Sequence, residues 1–187
     1  MLKHIEEFGK YVLIAGLKDV KIEDTEKFLK RFSKESLGVE IQFFDARFVA
    51  GWQHLYFAVL NALTAFKNKR SISKNLAMET ILYASAQRQI KKALGKLGIK
   101  LGTTEVALVM VGDEPRTIKS ALNTVVRVAK AKRNDEVLEL TEEKIVGIRE
   151  IFKISDLELE AVIEKGDLKK ALIDIVIERM ALLATQI

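Results

Sequence analysis

The chain of 187 residues has no cysteine and only one proline. The lack of cysteine excludes disulfides, thiolate metal ligands and cysteine nucleophiles together, so we expect an intracellular, cytoplasmic protein. Residues 1–10 carry charges of both signs and lack the apolar stretch of a secretory signal. The longest mostly apolar run, Leu55–Phe66, is interrupted by Asn61 and Thr64 and falls short of the roughly 20 residues that span a bilayer. These features predict a soluble protein without a membrane partner.

Motifs that bind nucleotides or metals are also missing from the sequence. None of the 10 glycines belongs to a Gly-x-x-x-x-Gly-Lys-Ser/Thr or a Gly-x-Gly-x-x-Gly pattern. The two histidines, His4 and His54, have no second histidine or carboxylate at the spacing of a metal site. We therefore expect no catalytic residue, no metal and no cofactor, and predict that the protein is not an enzyme.

Composition predicts one folded domain over residues 1–187. Hydrophobic residues make up 49% of the chain, which is enough for one good core at this length. Lys and Arg number 31 against 26 Asp and Glu, which gives a net charge of +5. This mild excess is compatible with binding to RNA or DNA but does not identify a partner.

Hydrophobic periodicity predicts an α/β fold, with a small mixed sheet flanked by about seven helices and a helical C-terminal tail. Continuous or alternating apolar runs predict strands at Tyr11–Leu17, Val39–Phe44 and Ala107–Val111, with a weaker fourth at Val137–Leu140. Helices are predicted from Asp24 or Thr25 through Arg31 to near Gly38, at Gly51–Phe66, Ser73–Ala84 and Ser85–Leu97, from Asp113-Glu114-Pro115 to about Lys132, at Thr141–Phe152 and Ser155–Lys165, and from Asp167 onward. Ser85 is the predicted N-cap of its helix, and Ser155 with Glu158 predicts a capping box.

Three polar residues near the central apolar helix each allow two interpretations. His54 suits a general base or a nucleotide contact, or else a histidine that bonds to backbone. Asp45 would orient His54 or bind a metal, or else cap the turn after its strand. Glu79 is either an ordinary solvent-facing acid or a partner for Arg88.

Basic residues follow the central helix in two groups. Lys67, Lys69, Arg70 and Lys74 lie in the connector after it, and Arg88, Lys91, Lys92 and Lys96 recur at helical spacing opposite Ile90, Leu94 and Leu97. Together they suit a phosphate-binding groove, with Tyr83 or Trp52 available to stack on bases. The alternative is a solvated helix face, and a second basic face of Arg116, Lys119, Arg127 and Lys130 looks the same.

The last helix is apolar nearly all round. Its two apolar stripes are Ala171, Leu172, Ile175 and Leu182, and Ile173, Val176, Ile177, Met180 and Ala184. A helix of this kind is buried on two sides or offers one side to another protein, and weak self-association through it is a further prediction.

Several stretches of the chain together resemble one known family. They are Phe44-Asp45-Ala46, Val49-Ala50-Gly51, His54-Leu55, Met78-Glu79, Leu82-Tyr83-Ala84-Ser85, Arg88-Gln89-Ile90, Ala93, Ile173-Asp174-Ile175-Val176 and Arg179-Met180. On these residues the chain resembles the small tRNA-recruiting subunit of the KEOPS complex, the family that includes the PRPK-binding protein. The likeness follows the order of elements over nearly the full length, and it is most specific in residues 43–98 and 171–182. The Arg127–Arg133 basic run lies outside it.

The resemblance implies a non-catalytic accessory subunit. Members of this family bind and stimulate the kinase-like ATPase of KEOPS and capture the single-stranded 3′ CCA end of tRNA, while another subunit carries out the chemistry that forms threonylcarbamoyladenosine. Carried over by position, the RNA-binding candidates are Arg88 and, in the connector, Lys69, Arg70 and Lys74. Lys91 and Lys92 join them from the basic spacing described above. The candidates for binding the kinase-like partner are Ile173, Val176, Ile177, Met180 and Leu183. The alternative is an adaptor of the kinase-like partner that does not contact RNA.

Overall fold

The computed structural model describes residues 1–33, 38–163 and 166–185. The strands in these ranges are β1 (Leu2–Ile5), β2 (Lys10–Lys18), β3 (Glu40–Asp45), β4 (Val106–Gly112) and β5 (Lys132–Arg133). The helices are α1 (Thr25–Ser33), α2 (Gly51–Lys67), α3 (Leu76–Ala84), α4 (Ile90–Leu97), α5 (Pro115–Val128), α6 (Glu142–Phe152), α7 (Asp156–Val162) and α8 (Leu168–Leu183). The predicted α/β class with a helical C-terminal end is confirmed.

β2 and β4 pair in the middle of the sheet, with Tyr11 opposite Gly112 and Leu17 opposite Val106. The order is β1-β2-β4-β3, and β5 also pairs with β2. Every strand pair described is antiparallel, whereas the sequence predicted a mixed sheet. All seven residues of β4 are buried, as expected for an apolar run without polar alternation.

Contacts within the chain divide it into two compact units. The sheet unit comprises residues 1–46 and 98–137, and the helical unit comprises residues 47–97 and 138–187. In the sheet unit, α1 and α5 contribute to the same core as the strands, and the rings of Phe28, Phe32 and Phe43 pack with centroids 5.2 to 5.5 Å apart.

The helical unit is built around α2, which packs against α3 and α8. Its buried face includes Leu55, Ala58, Val59 and Ala62, because apolar residues recur every three to four positions. α8 also packs on α6 and α7, and the predicted capping box of Ser155 and Glu158 starts α7. No helix in the described ranges combines the length and apolarity needed to cross a membrane.

Several predicted boundaries and one predicted strand are wrong. Val137–Leu140 is not a strand; a 3₁₀ helix covers Asp135–Leu138 instead. The sequence did not predict β1 and β5. α4 begins at Ile90 and not at Ser85, because Ser85 caps the C-terminus of α3, with its hydroxyl donating to the Leu82 carbonyl at 3.1 Å. α3 begins after its N-cap Asn75, and α5 ends at Val128.

The predicted ends of two helices fall partly outside the described residues. α1 ends at Ser33, and residues 34–37, through which the first predicted helix was to continue, lie outside the described ranges. α7 ends at Val162, and its predicted end at Lys165 lies outside them as well.

Candidate anion-binding pocket

A pocket of about 350 Å³ opens in the helical unit at the C-terminal end of α2. It is lined by Asn61, Thr64 and Ala65 of α2, by Asn68, Lys69, Arg70 and Ile72 of the connector to α3, by Tyr83 and Arg88, and by Leu183 and Ala184 at the end of α8. Its volume is near the lower end of the range of about 300–1,000 Å³ for small-ligand pockets. The pocket is therefore large enough for a small ligand.

The connector, residues 68–75, begins with a turn that reverses the chain at the end of α2. The Lys69 and Arg70 amides donate to the carbonyls of Phe66 and Ala65, at 3.1 and 2.8 Å. Lys69 adopts a left-handed backbone with φ of 57°, a conformation that a residue with a side chain rarely adopts. This turn sets Lys69 and Arg70 on the pocket wall.

Glu79 of α3 fixes the middle of the connector. Its carboxylate accepts hydrogen bonds from the backbone amides of Ile72, at 3.0 Å, and Ser73, at 2.6 Å. The residue is 0% exposed, so its predicted role as an ordinary solvent-facing acid is wrong. A buried carboxylate is tolerated when backbone donors replace its water. Glu79 thereby holds in place the loop that carries Lys69 and Arg70.

His54 of α2 is a buried structural histidine. The Ala50 amide donates to its Nδ1 at 3.1 Å, which places the ring proton on Nε2, and Nε2 donates to the Ala84 carbonyl at 2.8 Å. Burial lowers the pKa of His54 to about 4, so the ring is neutral at pH 7. The backbone-bonded interpretation is confirmed. Both ring nitrogens are occupied, so His54 cannot act as a general base without breaking one of these bonds.

Asp45 lies at the end of β3 in the sheet unit and is 0% exposed. Its carboxylate accepts a hydrogen bond from the Thr103 hydroxyl at 3.4 Å. The role of orienting the His54 ring, predicted for Asp45, falls to the backbone of Ala50 and Ala84. Among residues 1–33, 38–163 and 166–185, no group of three or more His, Asp or Glu side chains is placed to hold a metal ion.

Three of the six predicted RNA-binding residues line the pocket. These are Lys69, Arg70 and Arg88, which come together from the connector and from the turn before α4. The other three, Lys74, Lys91 and Lys92, are exposed but do not line it. The structure thus brings half of the predicted set to one place.

The predicted basic face from Arg88 to Lys96 does not exist as one helix face. Arg88 precedes α4, and Ile90, predicted to face inward, is 43% exposed. Lys96 instead donates to the Ser85 carbonyl at 2.8 Å, and its ammonium lies 3.7 Å from the ring centroid of Phe152. Burial lowers the pKa of Lys96 to about 8. The Lys96 ammonium is therefore engaged by the Ser85 carbonyl and the Phe152 ring and does not belong to a phosphate-binding surface.

The pocket lies in a strongly basic part of the chain. Residues 47–97 contain nine Lys and Arg but only one acid, Glu79, which is buried. Lys69 and Arg70 make no ion pair with any residue of the described ranges, so their charge is available to a ligand. Unneutralised cations grouped in a concave site attract anions and speed their encounter.

The aromatic residues predicted to stack on bases are poorly placed for it. Tyr83 lines the pocket, but only 6% of its surface is exposed, and burial raises the pKa of its hydroxyl. Trp52 is not among the lining residues and packs edge-on against Tyr56, with centroids 6.2 Å apart. Ile72, which is 38% exposed, offers the more accessible apolar wall.

α8 is mostly a core helix. Of the residues predicted to bind the kinase-like partner, Val176 and Met180 are 0% exposed and Leu183 is 3% exposed. These three cannot form an interface, because they already pack within the helical unit. Ile173 and Ile177 are half-buried and stay accessible on the outer face of α8.

Fold and pocket together define an α/β protein with a cationic pocket in its helical unit. A family model described as kinase binding protein CGI-121 matches residues 18–184. The regulatory protein Cgi121 of Methanocaldococcus jannaschii is 35% identical over 119 residues, which cover 64% of this chain and 74% of that protein. The chain belongs to the CGI-121 kinase-binding protein family, as the resemblance in its sequence predicted.

Proposed function

We propose that this protein is a non-catalytic subunit of the KEOPS complex, which forms threonylcarbamoyladenosine in tRNA. In this role it binds and stimulates the kinase-like ATPase subunit and captures the single-stranded 3′ CCA end of tRNA. Membership of a kinase-binding family supports the first activity. The observation that carries the second is the pocket in which Lys69, Arg70 and Arg88 converge.

The chemistry of the pocket suits one unpaired nucleotide. The three cations are donors for a phosphate, and the side chains of Asn61, Thr64 and Asn68 offer both donors and acceptors to a base or sugar. Ile72 supplies an apolar surface for the base. Single-stranded RNA is recognised in this way, through phosphate contacts and the faces and edges of unstacked bases.

Capture of the acceptor end works as a tether. The anticodon loop is remote from the CCA end, so a subunit that holds that end keeps the loop near the catalytic subunit. Binding of the anticodon loop to the catalytic subunit then becomes intramolecular. The effective concentration of the loop at that subunit rises without any new contact at the reacting adenosine.

The RNA-binding part is tested with two matched double variants. Lys69→Gln with Arg70→Gln removes two cations of the pocket, and Lys91→Gln with Lys92→Gln removes two exposed cations outside it. We expect the pocket variant to bind tRNA on the order of tenfold more weakly. The slope of log K against log salt concentration should become shallower by about 1 to 2, and the control should be nearly unchanged. The measurement is tRNA binding against salt concentration.

A second comparison uses tRNA from which the CCA end has been removed. The intact protein should bind it as weakly as the pocket variant binds complete tRNA. Equal binding of both tRNAs by the intact protein would refute CCA capture and favour the alternative, an adaptor that contacts only the kinase-like partner.

The partner-binding part is tested on the outer face of α8. Ile177→Asp places a charge among its accessible apolar residues, and Val146→Asp on α6, where Val146 is 67% exposed, is the control. We expect only Ile177→Asp to lose co-purification with the kinase-like subunit, because a charge buried in an interface without a partner is costly. Retention of the partner by Ile177→Asp at normal folding stability would exclude this face.

A further inference from the structure

A second basic surface lies on α5 of the sheet unit. Residues 115–134 contain six Lys and Arg and no acid. Arg116, Lys119, Ser120, Asn123 and Arg127 are all exposed, and they recur at i, i+3, i+4, i+7 and i+11, which is one face of a helix. We call these five residues the α5 stripe. It extends for about 16 Å along the helix axis at 1.5 Å per residue.

The cations of the α5 stripe have no acidic partner among the described residues, whereas several other helix and strand cations of the sheet unit are paired. Lys132 pairs with Asp19 at 3.0 Å, and Lys30 pairs with Glu26 at 2.8 Å. Arg116, Lys119 and Arg127 make no ion pair with any residue that the structure describes. Asp113 and Glu114 lie just before α5 in the sequence, and Asp113 pairs with Lys10.

The composition of the stripe decides what kind of polyanion fits it. The apolar face of α5, with Ile118, Leu122 and Val125, is buried in the core, so the helix cannot insert into a lipid surface. No aromatic or large apolar side chain lies on the stripe, which disfavours both a protein interface and the stacking that single-stranded RNA requires. Straight rows of cations with interspersed hydroxyl and amide groups suit the backbone of a double helix.

We propose that the α5 stripe binds the phosphate backbone of double-stranded RNA. Arg116, Lys119 and Arg127 contact phosphates, and Ser120 and Asn123 between them contact phosphate or ribose 2′-hydroxyl oxygens. The choice of RNA over DNA rests on the proposed function. The stripe then supplies sequence-independent affinity for a base-paired stem, separate from the pocket, which takes an unpaired end.

The test uses the full chain and a blunt RNA hairpin that has no single-stranded 3′ end. The variant is Lys119→Gln with Arg127→Gln, and the control is Lys27→Gln with Lys30→Gln on α1. Both pairs are exposed helical cations of the sheet unit, and both lower the net charge by the same amount. We expect the stripe variant to bind the hairpin on the order of tenfold more weakly and to lower the salt dependence by about 2 ions, while the control changes little.

Four outcomes would overturn the proposal. Equal weakening by the stripe and control variants would mean that only net charge matters. Equal affinity for a DNA duplex of the same sequence would remove the preference for RNA. Binding to anionic vesicles that the stripe variant loses would point to lipid. A lower free energy of unfolding in the stripe variant would mean that Lys119 and Arg127 have a structural role.

A single-stranded RNA ending in CCA separates this proposal from the proposed function. The stripe variant should bind that RNA normally, and Lys69→Gln with Arg70→Gln should not. Normal hairpin binding by the stripe variant would refute the stripe and leave the pocket untouched, whereas the reverse pattern would refute only the pocket.

Discussion

The two units of the chain hold their exposed cations in different ways. In the helical unit Lys69 and Arg70 lie on an irregular connector, and a buried acid, Glu79, ties that connector to α3 through two backbone amides. In the sheet unit Arg116 and Arg127 lie on a regular helix whose opposite face is part of an apolar core.

The difference shows two physical ways of holding cationic side chains in a fixed position. A connector has no repeating hydrogen bonds of its own, so buried polar groups must fix it in place. A helix fixes its side chains by periodicity alone, and the surface that it offers is straight. The first construction gives the pocket and the second gives the α5 stripe.

The largest expected effect is on the sheet unit, from Gly16→Ala in β2. A Cβ at Gly16 would collide with the backbone oxygen of Asn134 and with the side chain of Val137, and the Asn134 amide also donates to the Gly16 carbonyl at 2.9 Å. Backbone must move to make room, so we expect a loss of about 3 kcal/mol in the free energy of unfolding. Chemical denaturation measures it.

Gly95→Ala in α4 is the control for this substitution, because a Cβ there meets no atom within 4 Å. It should be neutral or slightly stabilising. If each unit fixes its cations independently of the other, the folded fraction of Gly16→Ala should bind CCA-ended RNA normally. A loss of that binding beyond the unfolded fraction would show that the pocket depends on the sheet unit.

Glu79→Gln tests the construction of the helical unit. The amide oxygen can still accept one hydrogen bond, but its NH₂ group faces a second backbone donor, so one amide of the connector loses its partner. We expect about 2 kcal/mol of lost stability together with weaker binding of CCA-ended RNA. Denaturation and RNA titration on the same preparation measure both.

Glu160→Gln on α7 removes an exposed carboxylate of the same unit and should change neither property. The RNA affinity of Glu160→Gln, compared with that of the unchanged protein, also measures the effect of one unit of net charge. Tighter RNA binding by Glu79→Gln would mean that Glu79 acts through its negative charge and not by fixing the connector.

An effect similar in size to that of Glu79→Gln is a pH dependence of stability that originates in the helical unit. The pKa of His54 is lowered from 6.5 to about 4 by burial, so the unfolded chain binds a proton between these values that the folded chain excludes. Stability therefore falls as pH falls through this window, by about 2 kcal/mol between pH 7 and pH 5. Denaturation at several pH values above the usual range of carboxyl pKa values measures the slope.

The sequence contains only one other histidine, His4, which is exposed. His54→Gln should remove most of the slope between pH 7 and pH 5, and His4→Gln serves as the control. An undiminished slope of stability against pH in His54→Gln would mean that another group takes up the proton.

Hydrophobic patterning and capping predicted the long elements of the fold correctly. β2 and β4 are apolar runs, and α2, α6 and α8 begin or end close to the predicted residues. β1 and β5 could not be predicted, because they are short and mostly exposed and exist only by pairing with the edge of β2. Ser85 was misassigned because the same residue type serves at both ends of helices.

The candidate site was predicted in outline only. Lys69, Arg70 and Arg88 form part of it, but the burial of Glu79 has no signature in sequence, since its partners are backbone amides. Asn61 and Thr64 were missed as lining residues although their spacing of i, i+3 puts them on one face of α2, and the C-cap Asn68 continues that spacing. Those polar interruptions of an apolar helix were the available signal.

Both units are assembled from stretches of chain that are far apart in sequence, and this affects how the protein is made. β2 and β3 leave the ribosome before β4, the strand that pairs with both of them, has been translated. Translation of the intervening residues takes about 3 to 12 s at about 5–20 residues per second. During part of that time the nascent chain carries two strands whose pairing edges are still open, and unpaired strand edges are prone to aggregation.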